Sequence, residues 1–338
     1  MSRLSRVIDG LLELTVVGSF TRIGSAVRRR MFDWTPPEPS ALDGRTVVVT
    51  GPTSGLGRAA TFELAALGAR VVLVGRDEAK LVALQAELVA LQADLAVDAA
   101  HDRFPIVVAD MSSRASVRLA VDTILATEPC LDVLVDNAGA VFADRTETED
   151  GVEATLATML VGPFLLEAGL LPLLERTPGA RVIAVTSGGM YLQSLPLDDL
   201  GYRRDTYSGL RAYARAKRGQ VALMREWARR EHGRVTFTAM HPGWVDTPGL
   251  AKSMAGFHRL IGPLLRTPSE GIDTIAWLAA HDDAAALNGG LFLDRRRRPF
   301  DRLPATRLTA GDRRRLWDEV VRLAEIEDPA PERMGTRT

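Results

Sequence analysis

The chain has 338 residues, 46% of them hydrophobic, which suits one large globular domain or two small ones. Its 42 basic and 43 acidic residues nearly cancel, so composition argues against a polyanion-binding protein and predicts no nucleic-acid partner. Cys130 is the single cysteine, which excludes an internal disulfide and a multi-cysteine metal site. It fits a reducing compartment and predicts a cytoplasmic protein. The five histidines show no metal-ligand spacing, so no metal is expected.

Residues 1–40 differ from the middle of the chain and are expected to form an amphipathic segment and a linker. Apolar side chains recur at helical spacing and are followed by arginines: Leu4, Val7, Ile8, Leu11, Leu12, then Arg22 and Arg28–Arg30. Asp9 and Glu13 interrupt the apolar stretch, which argues against a secretory signal. Two interpretations stay open, a helix packed on the protein body and a basic amphipathic helix in contact with a membrane. Pro36–Pro39 predicts a stiff linker.

Residues 41–300 alternate between short apolar β-branched runs and helix-like stretches. The predicted strands are Thr46–Val49, Val71–Val74, Ile106–Val108, Val133–Val135, Val182–Val185 and Val235–Phe237. The predicted helices include Arg58–Leu67, Ala79–Leu95, Val117–Leu125 and Arg218–Arg230. Continuous apolar runs are typical of strands buried on both faces, so we expect one α/β domain with a doubly wound parallel sheet and helices on both faces. No uncharged apolar run is long enough to cross a membrane.

Residues 301–338 are expected to form a C-terminal helical extension and tail. An amphipathic helix is predicted over 311–326, with Leu316, Val320, Val321 and Leu323 facing inward. The arginine run Arg295–Arg298 precedes it. Such a run usually marks a solvated face, and a phosphate or lipid contact is the alternative.

A glycine-rich loop, Thr50-Gly51-Pro52-Thr53-Ser54-Gly55-Leu56-Gly57, follows the first strand and leads into a helix. Glycine lets a bulky ligand approach the backbone, and the amide groups at the start of the helix then face a pyrophosphate. A tight strand–helix turn is the alternative interpretation. The position at the first strand–helix junction favours dinucleotide binding.

The end of the second strand carries Gly75 and Arg76, with Arg58 nearby at the start of the first helix. An acidic residue at this place hydrogen-bonds the ribose 2′-hydroxyl of NAD(H), whereas an arginine accommodates a 2′-phosphate. Arg76 therefore favours NADP(H), and Asp77 beside it leaves NAD(H) open.

Tyr213 and Lys217 are four residues apart, which places both side chains on one face of a helix. A free phenol has a pKa of about 10, and a neighbouring ammonium favours its ionised form. The spacing therefore predicts a tyrosine with a lowered pKa that serves as an acid–base group. The pair alone is weak evidence, because the same spacing often marks a solvated helix face.

In their order along the chain, these motifs resemble those of the short-chain dehydrogenase/reductase superfamily over roughly residues 43–295. The resemblance rests on the loop at 50–57, Asp110, Asp136–Gly139, Ser187, the Tyr213/Lys217 pair and the run 242–247. It is strongest to the orphan "member twelve" group near the retinol-type dehydrogenases, and it implies a Rossmann-like fold.

The resemblance also implies a role for each matching residue. Ser187, Tyr213 and Lys217 would be catalytic. Tyr213 would exchange a proton with the substrate oxygen, Ser187 would stabilise that oxygen, and Lys217 would bond the nicotinamide ribose. The implied cofactor-binding residues are Thr50, Gly51, Ser54, Gly55, Leu56, Gly57, Arg76, Asp110, Met111, Asn137, Ala138, Gly139, Tyr213, Lys217, Pro242, Gly243, Val245 and Thr247. Asp110 as a helix cap is the local alternative.

Asp136 stands where the family usually has asparagine, and a second position also departs from the family pattern. The register of Gly162 and Phe164 puts Met159 where many members carry an asparagine that supports a helix distortion and a water near the lysine. A thioether cannot replace the asparagine's hydrogen bonds. Either the proton relay uses a backbone carbonyl and water, or the chain binds NADP(H) with weak or no catalysis.

Two segments, 188–212 and 248–268, are rich in apolar residues and are expected to overhang the site. They predict a hydrophobic alcohol or carbonyl substrate, such as a lipid, retinoid or steroid. Packing as a lid core is the alternative. The expected function is NADP(H)-dependent alcohol–carbonyl oxidoreduction, against a cofactor-binding regulator or a membrane-surface protein. Whether the chain forms a homo-oligomer is left open.

Overall fold

A computed structural model describes residues 3–32, 34–91 and 101–332. An eight-stranded sheet in the order β3-β2-β1-β4-β5-β6-β7-β8 forms its centre. The strands are β1 Thr46–Thr50, β2 Arg70–Gly75, β3 Ile106–Val108, β4 Val133–Asp136, β5 Arg181–Val185, β6 Thr236–Met240, β7 Leu291–Leu293 and β8 Arg296–Arg297. All neighbours pair in parallel except β7 and β8. The predicted doubly wound parallel sheet is confirmed.

Helices cover both faces of this sheet. They are α1 Arg3–Leu14, α2 Val16–Phe20, α3 Arg22–Met31, α4 Gly55–Ala66, α5 Glu78–Ala90, α6 Arg114–Thr127, α7 Ala154–Arg176, α8 Gly209–Arg230, α9 Pro248–Ser253, α10 Ala255–Ile261, α11 Pro268–Ala280 and α12 Ala310–Ala324. Helices α4, α5 and α11 pack on one face, and α6, α7, α8 and α12 on the other. The end of the predicted helix 79–95 lies outside the described residues.

The β1 strand shows why the sequence forms a sheet with two cores. All five of its residues are buried. Val47 and Val49 belong to one core and Val48 to the other, because successive side chains of a strand point to opposite faces. The centre of the run is therefore wholly apolar, and its buried polar members are the threonines at its two ends.

Helix α7 is apolar and long enough to cross a membrane, but 78% of its apolar window is buried inside the protein. It contains the π-helical turn Ala157–Val161. Its burial and its Glu167 identify it as a core helix that lies beside α6 and α8.

The N-terminal helices are attached to the body by an ion cluster and by the buried Phe20 of α2. The cluster consists of Arg28, Arg266, Arg298, Arg302, Asp9, Glu13 and Asp294. Arg28 is 0% exposed and contacts Asp9, Glu13 and Asp294 at 2.6 to 2.7 Å. Because these carboxylates also bond arginines near the C-terminal end of the sheet, the cluster joins both ends of the chain.

Helix α1 turns its acidic face inward and its apolar face outward. Asp9 is buried, whereas Val7, Leu11 and Leu14 are exposed, Leu14 to 80%. This is the reverse of an ordinary surface helix, whose apolar stripe faces the core. The packing of α1 on the body is thus ionic, and its apolar face remains available.

The arginine run near β8 is not a solvated face. Arg298 is buried and bonds both carboxylate oxygens of Asp9, and Arg295 forms a two-pronged bond with Asp273. Intramolecular partners therefore account for these two members of the run. In α12 the inward positions Leu316 and Val320 are fully buried as expected, together with Trp317.

Candidate active site

The glycine-rich loop after β1 is held by the residues that follow β4. The Asn137 side-chain amide donates to the backbone oxygens of Thr50 and Gly51, at 3.0 and 3.2 Å. The Thr50 hydroxyl oxygen accepts from the backbone N–H groups of Asn137 and Ala138, both at 3.0 Å. Since β1 and β4 are neighbours, these bonds fix the loop at the carboxyl edge of the sheet.

The loop also leaves room for a phosphate-bearing ligand. Gly51 and Gly55 have φ angles of +66° and +52°, which side chains rarely adopt. A Cβ on Gly57 would collide with the Gly51 carbonyl and the Asn137 amide. Helix α4 begins at Gly55, and the Ser54 side chain makes no capping bond. The first amide groups of α4 therefore lack helical partners, and this arrangement fits a dinucleotide pyrophosphate.

The end of β2 presents an arginine, while the neighbouring acid is already engaged. Arg76 is exposed. Asp77 accepts from the Lys80 backbone N–H at 3.1 Å and pairs with the Lys80 ammonium at 2.8 Å, as the N-cap of α5. Arg58 forms an ion pair with Glu87. Within the described part of the chain, Arg76 forms no such ion pair.

Asp110 forms a local turn with Ser112 and is not the cap of α6, whose N-cap is Ser113. Its Oδ1 accepts from the Ser112 backbone N–H at 2.8 Å and from the Ser112 hydroxyl at 2.7 Å. Met111 is buried beside it. An adenine contact of either residue stays a prediction.

Ser187 and Tyr213 come together beyond the end of β5. The Ser187 Oγ accepts from the Gly189 backbone N–H at 3.3 Å. Burial raises the pKa of Tyr213, and a hydrogen bond with Ser187 only partly opposes this. The predicted lowering of the Tyr213 pKa by Lys217 is therefore wrong for these contacts.

The Lys217 ammonium is bonded to a backbone carbonyl and lies over the Tyr213 ring. Its Nζ donates to the Val185 carbonyl oxygen at 2.7 Å and lies 5.7 Å from the centre of the Tyr213 ring. Burial lowers the pKa of Lys217 to about 8, opposed by the charge of Asp136. A lysine with this pKa titrates close to neutral pH, unlike an exposed one.

Met159 lies beside the lysine, as the register from Gly162 predicts. A Cβ on Gly139 would lie 3.1 Å from the Met159 Sδ and 3.6 Å from the Lys217 Nζ. Met159 is fully buried within the π-helical turn of α7. The helix distortion is thus present here with methionine in the place of the usual asparagine.

The loop after β6 packs on a residue of the N-terminal segment. The Phe20 carbonyl accepts from the Trp244 backbone N–H at 2.8 Å and from the Arg266 Nε at 3.0 Å. Gly243 has φ +78°, and a Cβ there would lie 2.6 Å from that carbonyl. The Phe20 ring meets His241 edge-on at 4.7 Å. Pro242 is buried in the same loop.

Phe20 also touches Gly188, next to the predicted catalytic serine, since a Cβ on Gly188 would collide with the Phe20 ring. Sequence reasoning missed this residue. A lone phenylalanine in a segment treated as an extension gives no signal of its contact with two loops of the site.

Thr247 brings the loop after β6 near the glycine-rich loop. Its side chain caps α9 by accepting from the Leu250 backbone N–H at 3.3 Å. Its Cγ2 lies 3.6 Å from the position of a Cβ on Gly55. Val245 is buried and pairs with Arg266 in an isolated bridge. A cofactor contact of Thr247 or Val245 remains a prediction.

The two expected lid segments differ. In 188–212, Tyr191, Leu195 and Tyr202 are buried in the core, as the lid-core alternative describes. In 248–268, helices α9 and α10 contain no buried residue, and Phe257 packs edge-on against Trp244 at 4.9 Å. Accessible apolar side chains occur in both segments, Leu192 and Leu210 in the first and Leu260 in the second.

Comparison with known proteins agrees with this architecture. The family model of short chain dehydrogenases matches residues 45–256. Dehydrogenase/reductase SDR family member 12 of Bos taurus is 39% identical over 270 residues, covering 80% of this chain and 82% of that protein. Retinol dehydrogenase 14 of Mus musculus is 32% identical over 293 residues, covering 83% and 86%. A crystal structure of an uncharacterised protein from Mycobacterium Paratuberculosis has a TM-score of 0.67 at 26% identity, covering 88% of this chain and 99% of that one.

A parallel sheet with a glycine-rich phosphate loop and a Ser/Tyr/Lys set at its carboxyl edge defines an NAD(P)-binding oxidoreductase. The family model and the relatives described above assign the chain to one family within this class. The chain belongs to the short-chain dehydrogenase/reductase family. The resemblance to the "member twelve" group near the retinol-type dehydrogenases is confirmed.

Proposed function

We propose that the protein interconverts a hydrophobic alcohol and its carbonyl compound with NADP(H), assisted by Ser187, Tyr213 and Lys217. The observation that carries the proposal is the meeting of the Ser187 and Tyr213 side chains beyond β5, with the Lys217 ammonium one helical turn away. The cofactor supplies or accepts the hydride when it is bound. Proton transfer, stabilisation of the substrate oxygen and binding of the cofactor ribose are assigned to the three side chains.

Tyr213 and Ser187 would act on the same substrate oxygen. Since its pKa is raised, Tyr213 stays a phenol at neutral pH and can donate a proton to that oxygen. The Ser187 hydroxyl would donate a hydrogen bond and stabilise the developing charge. Lys217 would bond the cofactor ribose, and its positive charge would make the phenol more acidic once they share a ligand.

Cofactor preference would follow from the end of β2. The exposed Arg76 can pair with a 2′-phosphate, and Asp77 is already bonded to Lys80. Arg76→Ala should weaken NADPH binding about tenfold or more with little effect on NADH, a loss of about 1.4 kcal/mol. Arg176→Ala, which removes an exposed cation at the opposite edge of the sheet, is the matched control. An unchanged NADPH/NADH ratio in Arg76→Ala contradicts this assignment.

A hydrophobic substrate is supported by the lid segment 248–268. Leu260 is 81% exposed, and neither α9 nor α10 buries its apolar residues. One relative carries the name retinol dehydrogenase. We expect higher kcat/KM for all-trans-retinal and decanal than for glyceraldehyde, because only the first two bury apolar area under such a lid.

The enzyme function is tested with purified protein, NADPH and this carbonyl panel. Tyr213→Phe should abolish turnover while leaving NADPH bound. Tyr202→Phe is the matched control, since the Tyr202 hydroxyl is buried in the core with no partner among the described residues. NADPH binding with no turnover of any carbonyl by the parent chain, and with no effect of Tyr213→Phe, would favour the alternative of a cofactor-binding regulator.

A second proposal concerns location, and the reversed packing of α1 supports it. The exposed Val7, Leu11 and Leu14 lie near exposed arginines, namely Arg6, Arg22, Arg29 and Arg30. An apolar face flanked by cations is complementary to an anionic bilayer surface. We therefore propose peripheral membrane contact through the N-terminal helices.

Vesicle flotation tests this contact without removing the segment. The triple variant with serine at 7, 11 and 14 should lose binding to phosphatidylserine-containing vesicles. Val82→Ser with Leu119→Ser removes exposed apolar side chains on other helices and serves as the control. Equal flotation of both variants, or no flotation of the parent chain, would refute the membrane proposal.

A further inference from the structure

Two buried carboxyl groups lie near the lysine and have no role in the chemistry described so far. Asp136, the last residue of β4, is 1% exposed, and Glu167 of α7 is equally enclosed. Both carboxylate oxygens of Asp136 and the Oε2 of Glu167 lack a hydrogen-bond partner among the described residues. Buried carboxylates without donors are costly, so one of the two groups is expected to hold a proton and donate it to the other.

The environment indicates which group holds that proton. Burial raises the pKa of Glu167 well above its usual value, and the charge of Asp136 raises it further. Burial also raises the pKa of Asp136, a hydrogen bond with Glu167 and the charge of Lys217 partly oppose this, and the resulting pKa is about 6. At neutral pH Glu167 is therefore the neutral donor and Asp136 the ionised acceptor.

Asp136 is placed to act on Lys217. It pairs across the sheet with Ala184, the residue before Val185, whose carbonyl accepts from the lysine. Both groups thus end neighbouring strands at one edge of the sheet. The other neighbours of the ammonium are uncharged at neutral pH, namely Tyr213 on its own helix, Met159 on α7 and the Val185 carbonyl on β5.

We infer that Asp136, kept ionised by a hydrogen bond from Glu167, is the counter-ion that holds Lys217 charged where Met159 has replaced the usual polar residue. Asp136 and Glu167 are positioning residues, because they act through Lys217. Asp136 also stands where the family usually has asparagine, so two departures from the pattern surround the same lysine. The inference rests on the proposed role of Lys217 toward the cofactor ribose.

The test measures NADPH affinity and turnover between pH 6 and pH 9. In the parent chain, both should decline as Lys217 deprotonates above about pH 8. Asp136→Asn removes the opposing charge, so this decline should move about one pH unit lower. Asp132→Asn is the matched control, a buried aspartate at the opposite end of β4 that bonds Arg45 and Thr46. Superimposable profiles of Asp136→Asn and the parent chain would overturn the inference.

Three further variants sharpen the result. Glu167→Gln can still donate to Asp136 and should keep the parent profile. Glu167→Leu cannot, so Asp136 should lose part of its charge and the decline above about pH 8 should move to lower pH, as in Asp136→Asn. If Asp136→Asn does not fold, Glu167→Gln and Glu167→Leu still test the inference. Identical pH profiles for these two variants would refute the role of Glu167 and therefore that of the Asp136/Glu167 pair. Adding Met159→Asn to Asp136→Asn restores the usual family pair and should regain part of the lost activity.

The NADPH arm separates this inference from the proposed function. If no carbonyl is turned over, the proposed function fails, but the pH dependence of NADPH affinity still reports the charge of Lys217. If turnover is found and Asp136→Asn does not shift either profile, only the counter-ion inference fails.

Discussion

Replacing Arg28 by methionine tests how the N-terminal helices are held. The guanidinium bonds Asp9, Asp294 and Glu13 at 2.6 to 2.7 Å and is completely buried. Removing one partner of a buried ion pair costs about 3–5 kcal/mol. After this substitution each carboxylate keeps another arginine partner. Asp9 bonds Arg298 at 3.0 Å, Asp294 bonds Arg266, and Glu13 bonds Arg302. We therefore expect Arg28→Met to lower the free energy of unfolding by about 3 kcal/mol, the lower end of this range.

The assay is urea unfolding, together with the KM for NADPH. The KM should rise, because Arg28 also donates to the Ser19 carbonyl at 3.1 Å, next to the Phe20 carbonyl that holds the loop after β6. Arg29→Met is the control, because Arg29 is the exposed neighbour of Arg28. Equal free energies of unfolding for the two variants, within about 0.5 kcal/mol, would refute the importance of the ion cluster.

Three other predictions concern the same loops and the same cluster. Gly57→Ala should abolish NADPH binding measured by fluorescence, because the added Cβ collides with the loop that faces the phosphates; retained affinity would contradict this. Gly243→Ala should lower the free energy of unfolding by more than about 1 kcal/mol, since φ +78° strains any side chain, and a smaller loss would argue against the strain. Burial raises the pKa of Asp9 and Asp294, but their arginine partners outweigh it and leave both lowered, so the stabilisation is present above about pH 4 and lost as pH falls further. Protection factors of the α1–α3 amides, which correct for the intrinsic pH dependence of hydrogen exchange, should therefore fall in acid and not in mild alkali.

The sheet could be predicted because its strands are short, largely apolar β-branched runs that alternate with helix-like stretches, a pattern typical of strands buried on both faces. The glycine-rich loop and the Ser187/Tyr213/Lys217 set could also be predicted from the sequence, since each follows a predicted strand or lies within a helix at a fixed spacing. Strand β7 and helix α11 were not identified, because their short or mixed patterns resemble many other segments.

The electrostatics of the site could not be read from spacing. The interval between Tyr213 and Lys217 predicts a lowered phenol pKa, but burial has the larger effect and the ammonium turns to Val185. Both facts depend on tertiary packing. The sequence shows Asp136 as a departure from the family motif. It does not show that Glu167, which lies on another element, is its partner.

The N-terminal segment shows the same limit. Its helical periodicity predicts an amphipathic helix but not which face packs on the body. Asp9 faces inward because Arg28 and Arg298, distant in sequence, are gathered around it. The acidic face of α1 packs inward because its arginine partners are buried at that part of the body. No local sequence pattern shows where those arginines lie.

The most direct test of the proposed hydride-transfer site is single-turnover transfer of deuterium from 4-deuterated NADPH to a carbonyl that the parent chain reduces. Tyr213→Phe should slow the appearance of deuterated alcohol about 10²–10⁴-fold, with NADPH affinity within a factor of about three. Tyr202→Phe should match the parent chain. Deuterium transfer at the parent rate in Tyr213→Phe would contradict the central role given to Tyr213.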